Sequence, residues 1–114
     1  DKKEEREEER KEKEKIEEKM KPSEIKEYIK EMIISFKKDL EKNGVVLKVE
    51  KGIIDYLYKN LPPSPKTEEI SEIVNTYIIT PVNEKIKDKK IKRGDEVKVF
   101  VENDIIKFMK KKSI

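Results

Sequence analysis

The 114-residue chain contains no cysteine and no histidine. Without cysteine, a disulfide framework and a thiol nucleophile are excluded, and without either residue the usual zinc sites are excluded as well. A histidine-based catalytic triad or general base is equally impossible. No apolar run in the sequence approaches the length that is needed to span a bilayer.

Glycine is also scarce. Only Gly44, Gly52 and Gly94 are present, and none stands in the G-x-x-x-x-G-K-[ST] frame of a phosphate-binding P-loop, so nucleotide chemistry cannot be complete within this chain. The adjacent acids Glu68 and Glu69 could act as acid and base, but two carboxylates in the first turn of a helix are typical of capping. We therefore predict no catalytic residue.

Charged residues make up 48% of the chain, whereas hydrophobic residues make up only 33%. Residues 1–20 have Ile16 and Met20 as their only apolar side chains, so this part cannot bury a face and is predicted to be a highly charged extension or linker. Residues 21–110 hold nearly all the apolar side chains, enough for one small domain. Residues 111–114 form a basic tail.

The domain begins with a predicted helix that starts near Pro22 and ends at Asn43-Gly44. Proline suits a first helical turn, and glycine suits a left-handed C-terminal cap. Between them, apolar residues recur at spacings of three and four and form one stripe, which predicts the start of the core. The stripe consists of Ile25, Tyr28, Ile29, Met32, Ile33, Phe36 and Leu40.

A short strand and a short helix are predicted next. Residues 45–49 are typical of a β-strand, and the apolar residues from Ile53 to Tyr58 predict a second helix that ends near Asn60. Three prolines within residues 61–65 remove backbone donors and exclude regular structure there.

The last part of the domain contains a third helix and a hairpin. Thr67, followed by two glutamates, predicts a helix start, and Pro81 either kinks this helix or begins a new segment. Residues 96–102 alternate apolar and polar side chains, and residues 105–109 can return as their hairpin partner. The order of elements predicts an α+β fold, with three main helices packed on a small three-stranded sheet that ends in a C-terminal β-hairpin.

A calcium loop is one alternative for the region after the first helix. An EF-hand needs ligand oxygens at alternating positions and a glycine at its sharp turn. Its positions 1, 3, 5, 6 and 12 are matched by Asp39, Glu41, Asn43, Gly44 and Glu50. The third position is Glu rather than Asp or Asn, and the ninth, Leu47, offers no side-chain oxygen. A helix cap followed by a strand is therefore favoured, and no metal site is predicted.

Four segments share their order and spacing with a known family. They are residues 46–49 running into 53–57, residues 73–82 with Pro81 at the family's proline (vIqxxLenPL), residues 91–99 (f+eGDxvxv) and residues 106–108 (l.F). Together with the first helix, they resemble the C-terminal small subdomain, or lid, of the second AAA+ module in Clp chaperones of the ClpB/ClpC type. The resemblance covers about residues 21–109.

This resemblance implies the lid of an ATP-driven protein unfoldase or disaggregase. ATP or ADP with Mg²⁺ would be bound mainly by the large AAA+ subdomain of the same chain. The implied partners are neighbouring protomers of a hexamer, unfolded protein substrates and a Clp protease ring, with no membrane and no nucleic acid among them. The hairpin would belong to the contact surface between subunits, through Val97, Val99 and Phe108.

The chain departs from the family at its Gly-Ala-Arg motif, whose arginine senses the nucleotide phosphates. A gapless alignment places Lys66, Thr67 and Glu68 on these three positions. An acid at Glu68 would repel phosphate, whereas a two-residue slip would put Lys66 at the arginine's position and keep a cation without the planar guanidinium fork. We therefore expect a degenerate nucleotide sensor at these residues.

A function of a different class is also open: a small RNA-associated α+β binding module. Residues 92–99 resemble the turn-plus-strand elements of small RNA-binding barrels, and residues 21–114 carry 21 cations against 16 acids. The cations are interleaved with acids, and the tyrosines lie mostly at helical spacing, so core packing is favoured over base stacking. On the Clp interpretation the protein is expected inside the cell, and the Lys- and Ile-rich composition suits a plastid-like organelle.

Overall fold

A computed structural model describes residues 20–112. The predicted linker therefore lies outside the described residues, except for Met20, and so does the end of the basic tail. The elements are α1 (Pro22–Lys42), β1 (Val46–Val49), α2 (Lys51–Lys59), α3 (Thr67–Val74), a π-helical turn (Asn75–Ile79), α4 (Thr80–Lys87), β2 (Asp95–Glu102) and β3 (Ile105–Lys112). Since α3, the π turn and α4 form one continuous helical run, the predicted fold of three helical units on a three-stranded sheet is confirmed.

The two ends of α1 are fixed by the residues that the sequence singles out. The backbone N–H of Lys21 donates a hydrogen bond to Glu24 Oε1 at 3.0 Å, and Pro22 occupies the first turn, where its missing N–H costs nothing. At the other end Gly44 has φ +76°, the left-handed geometry of a helix C-terminal cap. The buried face of α1 consists of Ile25, Ile29, Ile33, Phe36 and Leu40.

The sheet has the strand order β1-β2-β3 and contains both kinds of pairing. β1 pairs with β2 in parallel, so that Leu47 lies opposite Val97, whereas β2 and β3 form an antiparallel hairpin in which Val99 lies opposite Phe108. Because β1 and β2 are parallel, the chain between them must cross over. Helix α2, the proline-rich loop and the helical run from α3 to α4 make this connection.

The core lies between the helices and one face of the sheet. Buried apolar side chains come from every helical segment and from β1 and β2, among them Ile53, Ile70 and Val82. Asp95 is the one buried polar residue among residues 20–112, and its carboxylate accepts a hydrogen bond from the backbone N–H of Lys92 at 2.8 Å. This bond satisfies the carboxylate at the turn into β2, since a buried polar group without a partner is costly.

Pro81 lies in the first turn of α4, directly after the π-helical turn, so a new helical segment begins at the proline. The helical run nevertheless continues through it, because the preceding turn widens to the π form, with the N–H of Thr80 donating to the carbonyl oxygen of Asn75. A proline cannot donate to the carbonyl four residues earlier, and a wider turn accommodates its ring. The π turn also keeps Val74, Ile78 and Val82, which are spaced four apart, on one buried face.

Candidate functional site

The three residues of the predicted nucleotide sensor lie together at the start of α3. Lys66 precedes the helix as its N-cap residue, Thr67 is the first helical residue, and Glu68 is the second. All three are exposed. The arrangement therefore presents one cation, one hydroxyl and one carboxylate at the positive end of a helix dipole.

The carboxylates of the first turn already occupy this helix end. Glu69 Oε1 accepts a hydrogen bond from the backbone N–H of Lys66 at 2.9 Å and closes a capping arrangement. Glu68 adds a second negative charge in the same turn. An approaching phosphate would therefore meet two carboxylates and a single ammonium group, so these residues fit a nucleotide phosphate poorly.

The loop that precedes α3 is held against the first two helices. Pro65 is buried, and the N–H of Leu61 donates to the carbonyl oxygen of Tyr58 at 3.1 Å. A cavity of about 320 Å³ lies between the loop, the start of α1 and the end of α2. Further along α3, Ser71 Oγ lies 3.3 Å from Tyr28 Oη on α1. The start of α3 is thus held against α1 and α2.

The residues that the sequence assigns to subunit contact point towards the core of the domain. Val97 and Val99 are 1% and 0% exposed, and Phe108 is half-buried against the same core. Side chains in these positions stabilise the chain itself and cannot offer contact area to another subunit. The assignment of Val97 and Val99 is therefore corrected, whereas a contact role for the hairpin as a whole stays a prediction.

The opposite face of the hairpin offers side chains that the sequence analysis missed. Met109 and Ile105 are 55% and 57% exposed, and Phe100, which lies opposite Lys107 in the hairpin, is half-buried. Lys98 contacts two neighbours on this face. Its Nζ lies 3.7 Å from Glu50 Oε2 and 5.9 Å from the centre of the Phe100 ring. Strand alternation, which places residues of opposite parity on opposite faces, was the signal that could have identified this face.

Residues 39–50 do not form the twelve-residue loop that the calcium alternative requires. α1 continues to Lys42, so Asp39 and Glu41 are helical residues, and Glu50 is the N-cap residue of α2. Gly44 acts as the helix cap, and the side-chain NH₂ of Asn43 donates to the carbonyl oxygen of Asp39 at 3.2 Å. Across residues 20–112, no group of three or more acidic side chains could hold a metal ion.

One end of the domain is strongly basic. Residues 85–93 hold six cations against the single acid Asp88, and β3 brings two more described lysines to the same place. The two segments are joined by contacts: Lys110 Nζ donates to the carbonyl oxygen of Lys90 at 2.9 Å, and Lys85 Nζ lies 5.4 Å from the centre of the Phe108 ring. We call residues 85–93 with Lys110 and Lys111 the basic end.

No protein-family model matches the chain, and no curated protein matches it either. Over residues 20–112, no helix combines the length and the hydropathy that a membrane crossing requires.

Proposed function

We propose that residues 21–110 act as the lid subdomain of an ATP-dependent, Clp-type chaperone or unfoldase inside the cell. The observation that carries the proposal is the order of elements: a long helix, a strand running into a short helix, a continuous helical run that contains a proline, and a closing hairpin. The sequence segments that resemble the Clp lid coincide with these elements. The proline of the family pattern, Pro81, stands inside the third helical unit, where the pattern requires it.

The role of such a lid is mechanical rather than catalytic. Its core is continuous from α1 to β2, so it can move as one body when a large subdomain changes its nucleotide state. The neighbouring protomers of a hexamer would be contacted through the outward face of the hairpin, where Met109 and Ile105 are exposed. Unfolded protein would be the substrate of the ring, and a Clp protease ring is a further partner on this proposal.

The sensor in this lid is degenerate. The gapless alignment puts Glu68 where the family has an arginine, and a two-residue slip would put Lys66 there instead. Because the residues fit phosphate poorly, we assign them no step in hydrolysis. ATP with Mg²⁺ would depend on the large subdomain for its binding.

The experiment compares ATP binding and hydrolysis by the full-length protein that carries this lid, as wild type and as Glu68→Arg. A guanidinium at this position adds a charge-assisted hydrogen bond to phosphate, so nucleotide affinity is expected to rise about tenfold. Glu72→Arg is the matched control, because Glu72 is an exposed acid one turn further along α3 and away from the helix end. A full-length protein without Walker motifs and without ATPase activity would overturn the proposal.

The second candidate function is RNA binding, and the basic end favours it. Seven of its eight cationic side chains have no carboxylate within 4 Å among the described residues, and Lys110 alone approaches Asp95, at 3.9 Å. Against this function, the tyrosines are engaged in packing: Tyr56 and Tyr77 form an edge-to-face pair at 6.0 Å. Binding to single-stranded RNA that falls steeply with salt, and is lost in Lys90→Glu, would support it over the lid.

A further inference from the structure

An apolar groove runs between α1 and the junction of β1 with α2. Its volume is about 390 Å³, and aliphatic side chains form its floor. Ile33 is buried there, Val49 and Ile54 are half-buried, and Ile34 is 39% exposed in the middle of a charged helix. A large aliphatic residue at an exposed helical position, continuous with other apolar side chains, is typical of a surface that another molecule covers.

The rim of this groove is positively charged. Lys30, Lys37 and Lys51 line it, and among the described residues none of the three has a carboxylate within 4 Å. The one acid of the lining, Glu50, faces Lys98 on the neighbouring strand, with 3.7 Å between Oε2 and Nζ. The groove therefore combines an aliphatic floor with three ammonium groups that no described side chain neutralises.

The start of α2 adds to the positive potential at one end of the groove. The helix has no acidic residue in its first turn, unlike α1 and α3. Its N-cap residue Glu50 and its first residue Lys51 both line the groove. A carboxylate placed at this end would meet the positive end of the helix dipole as well as the lysines.

We propose that this groove binds an acidic segment of a partner protein, with aliphatic side chains on the floor and carboxylates against the three lysines. The charge of the rim selects the partner, because a basic or neutral segment gains nothing from the lysines. A nucleic acid is disfavoured, since the floor is aliphatic and offers no aromatic ring for base stacking. An amphipathic helix is one segment that can present aliphatic side chains and carboxylates side by side. This inference is independent of the lid function.

The test measures the binding of a fluorescein-labelled synthetic peptide in which leucines, spaced as on one helix face, are flanked by glutamates. Binding to the 114-residue chain is followed by fluorescence anisotropy at low salt. Ile34→Gln is expected to lower the affinity about tenfold through lost apolar contact, and Lys37→Glu roughly fivefold or more through charge repulsion. Both residues are at least partly exposed, and the folding of each variant is verified by circular dichroism.

The chain supplies a matched control for each substitution. Lys38 is exposed, adjoins Lys37 in sequence and does not line the groove, so Lys38→Glu should change the affinity by less than about twofold. Val46 is 41% exposed on β1 and does not line the groove, so Val46→Gln is the control for Ile34→Gln and should leave the affinity nearly unchanged. Equal binding of a peptide with lysine in place of glutamate would overturn the proposal, as would equal losses in Lys37→Glu and Lys38→Glu. Self-association of the chain that Ile34→Gln abolishes would overturn it in favour of a second copy as the occupant.

Discussion

At Gly44, both the backbone conformation and the neighbouring side chain of Arg93 disfavour any residue other than glycine. Its φ is +76°, and a Cβ at this position would lie 2.6 Å from Arg93 Cγ, whose side chain crosses the turn. Its carbonyl oxygen also accepts a hydrogen bond from the N–H of Gly94 at 2.8 Å, which joins the end of α1 to the entry of β2. The turn therefore needs both the left-handed geometry and the missing side chain.

Gly44→Ala is expected to lower the free energy of unfolding by about 1–2 kcal/mol, because alanine is strained at positive φ and Arg93 must shift. The measurement is urea denaturation followed by circular dichroism. Gly52→Ala is the control, because Gly52 lies in α2 with ordinary φ, and an alanine methyl group there would meet nothing within 4 Å. It should be neutral or stabilising by up to about 1 kcal/mol, and equal losses in the two variants would contradict this account of the turn.

A second residue-scale feature joins the end of α2 to the tip of the hairpin. Lys59 Nζ donates a hydrogen bond to Asp104 Oδ1 at 2.7 Å, and this bond together with the carboxylate's charge raises the pKa of Lys59 above its usual 10.5. Asn103 and Asp104 both have positive φ, which Asn and Asp tolerate better than other non-glycine residues.

Asp104→Asn keeps the residue type that suits this turn but removes the charge. Since the folded pKa of Lys59 is raised, the contribution of the pair is fully present below pH 10.5 and is lost as the pH rises through the folded pKa. The variant should therefore be slightly less stable than the wild type at neutral pH, and the difference should vanish in strongly alkaline solution. Urea denaturation of the wild type and of Asp104→Asn, at neutral pH and in strongly alkaline solution, measures this. A stability difference between the two proteins that persists in alkaline solution would contradict the ion-pair explanation.

At the scale of elements, the alternation of β2 decides what each side chain does. Val97 and Val99 face the core, whereas Lys98 faces outward between them. Val99→Ala should lower the free energy of unfolding by about 1–3 kcal/mol, because it leaves a cavity among fully buried neighbours. Lys98→Ala should change it by less than about 0.5 kcal/mol. Thermal and urea denaturation measure both, and the reverse order would mean that the register of the strand is wrong.

Most of these elements could be predicted from the sequence because their signals are local. The apolar stripe of α1, the capping glycine and the alternation in β2 each depend on neighbouring residues, and all three are confirmed. The π turn could not be predicted, because it is set by the packing of Ile78 and Val82 together with the proline between them. The assignment of Val97 and Val99 to subunit contact is wrong, because the apolar residues of an alternating strand face the core and their neighbours face outward.

At the scale of the whole molecule, the lid proposal assigns the contact between protomers to the outward face of the hairpin. Met109 and Ile105 are exposed on it, and the described helices pack on the opposite face. On the lid proposal, Met109→Glu should weaken ring formation by the full-length protein, because it places a charge in an apolar contact, and should leave the stability of this domain within about 0.5 kcal/mol of the wild type. Sedimentation velocity in the presence of ATP measures the assembly. Unchanged assembly would exclude this face as the contact.

The central claim is that the start of α3 lies beside a nucleotide held by a large subdomain. Since the chain contains no cysteine, Glu68→Cys provides a unique position for a fluorescent label within it. Lys38→Cys provides the control, because Lys38 is exposed near the end of α1, whereas the loop before α3 packs against the start of α1. The decisive measurement is energy transfer between this label and a fluorescent ATP analogue bound to the full-length protein. The account predicts strong transfer from position 68 and weak transfer from position 38. Equal transfer from the two positions, or no binding of the analogue at all, would contradict it.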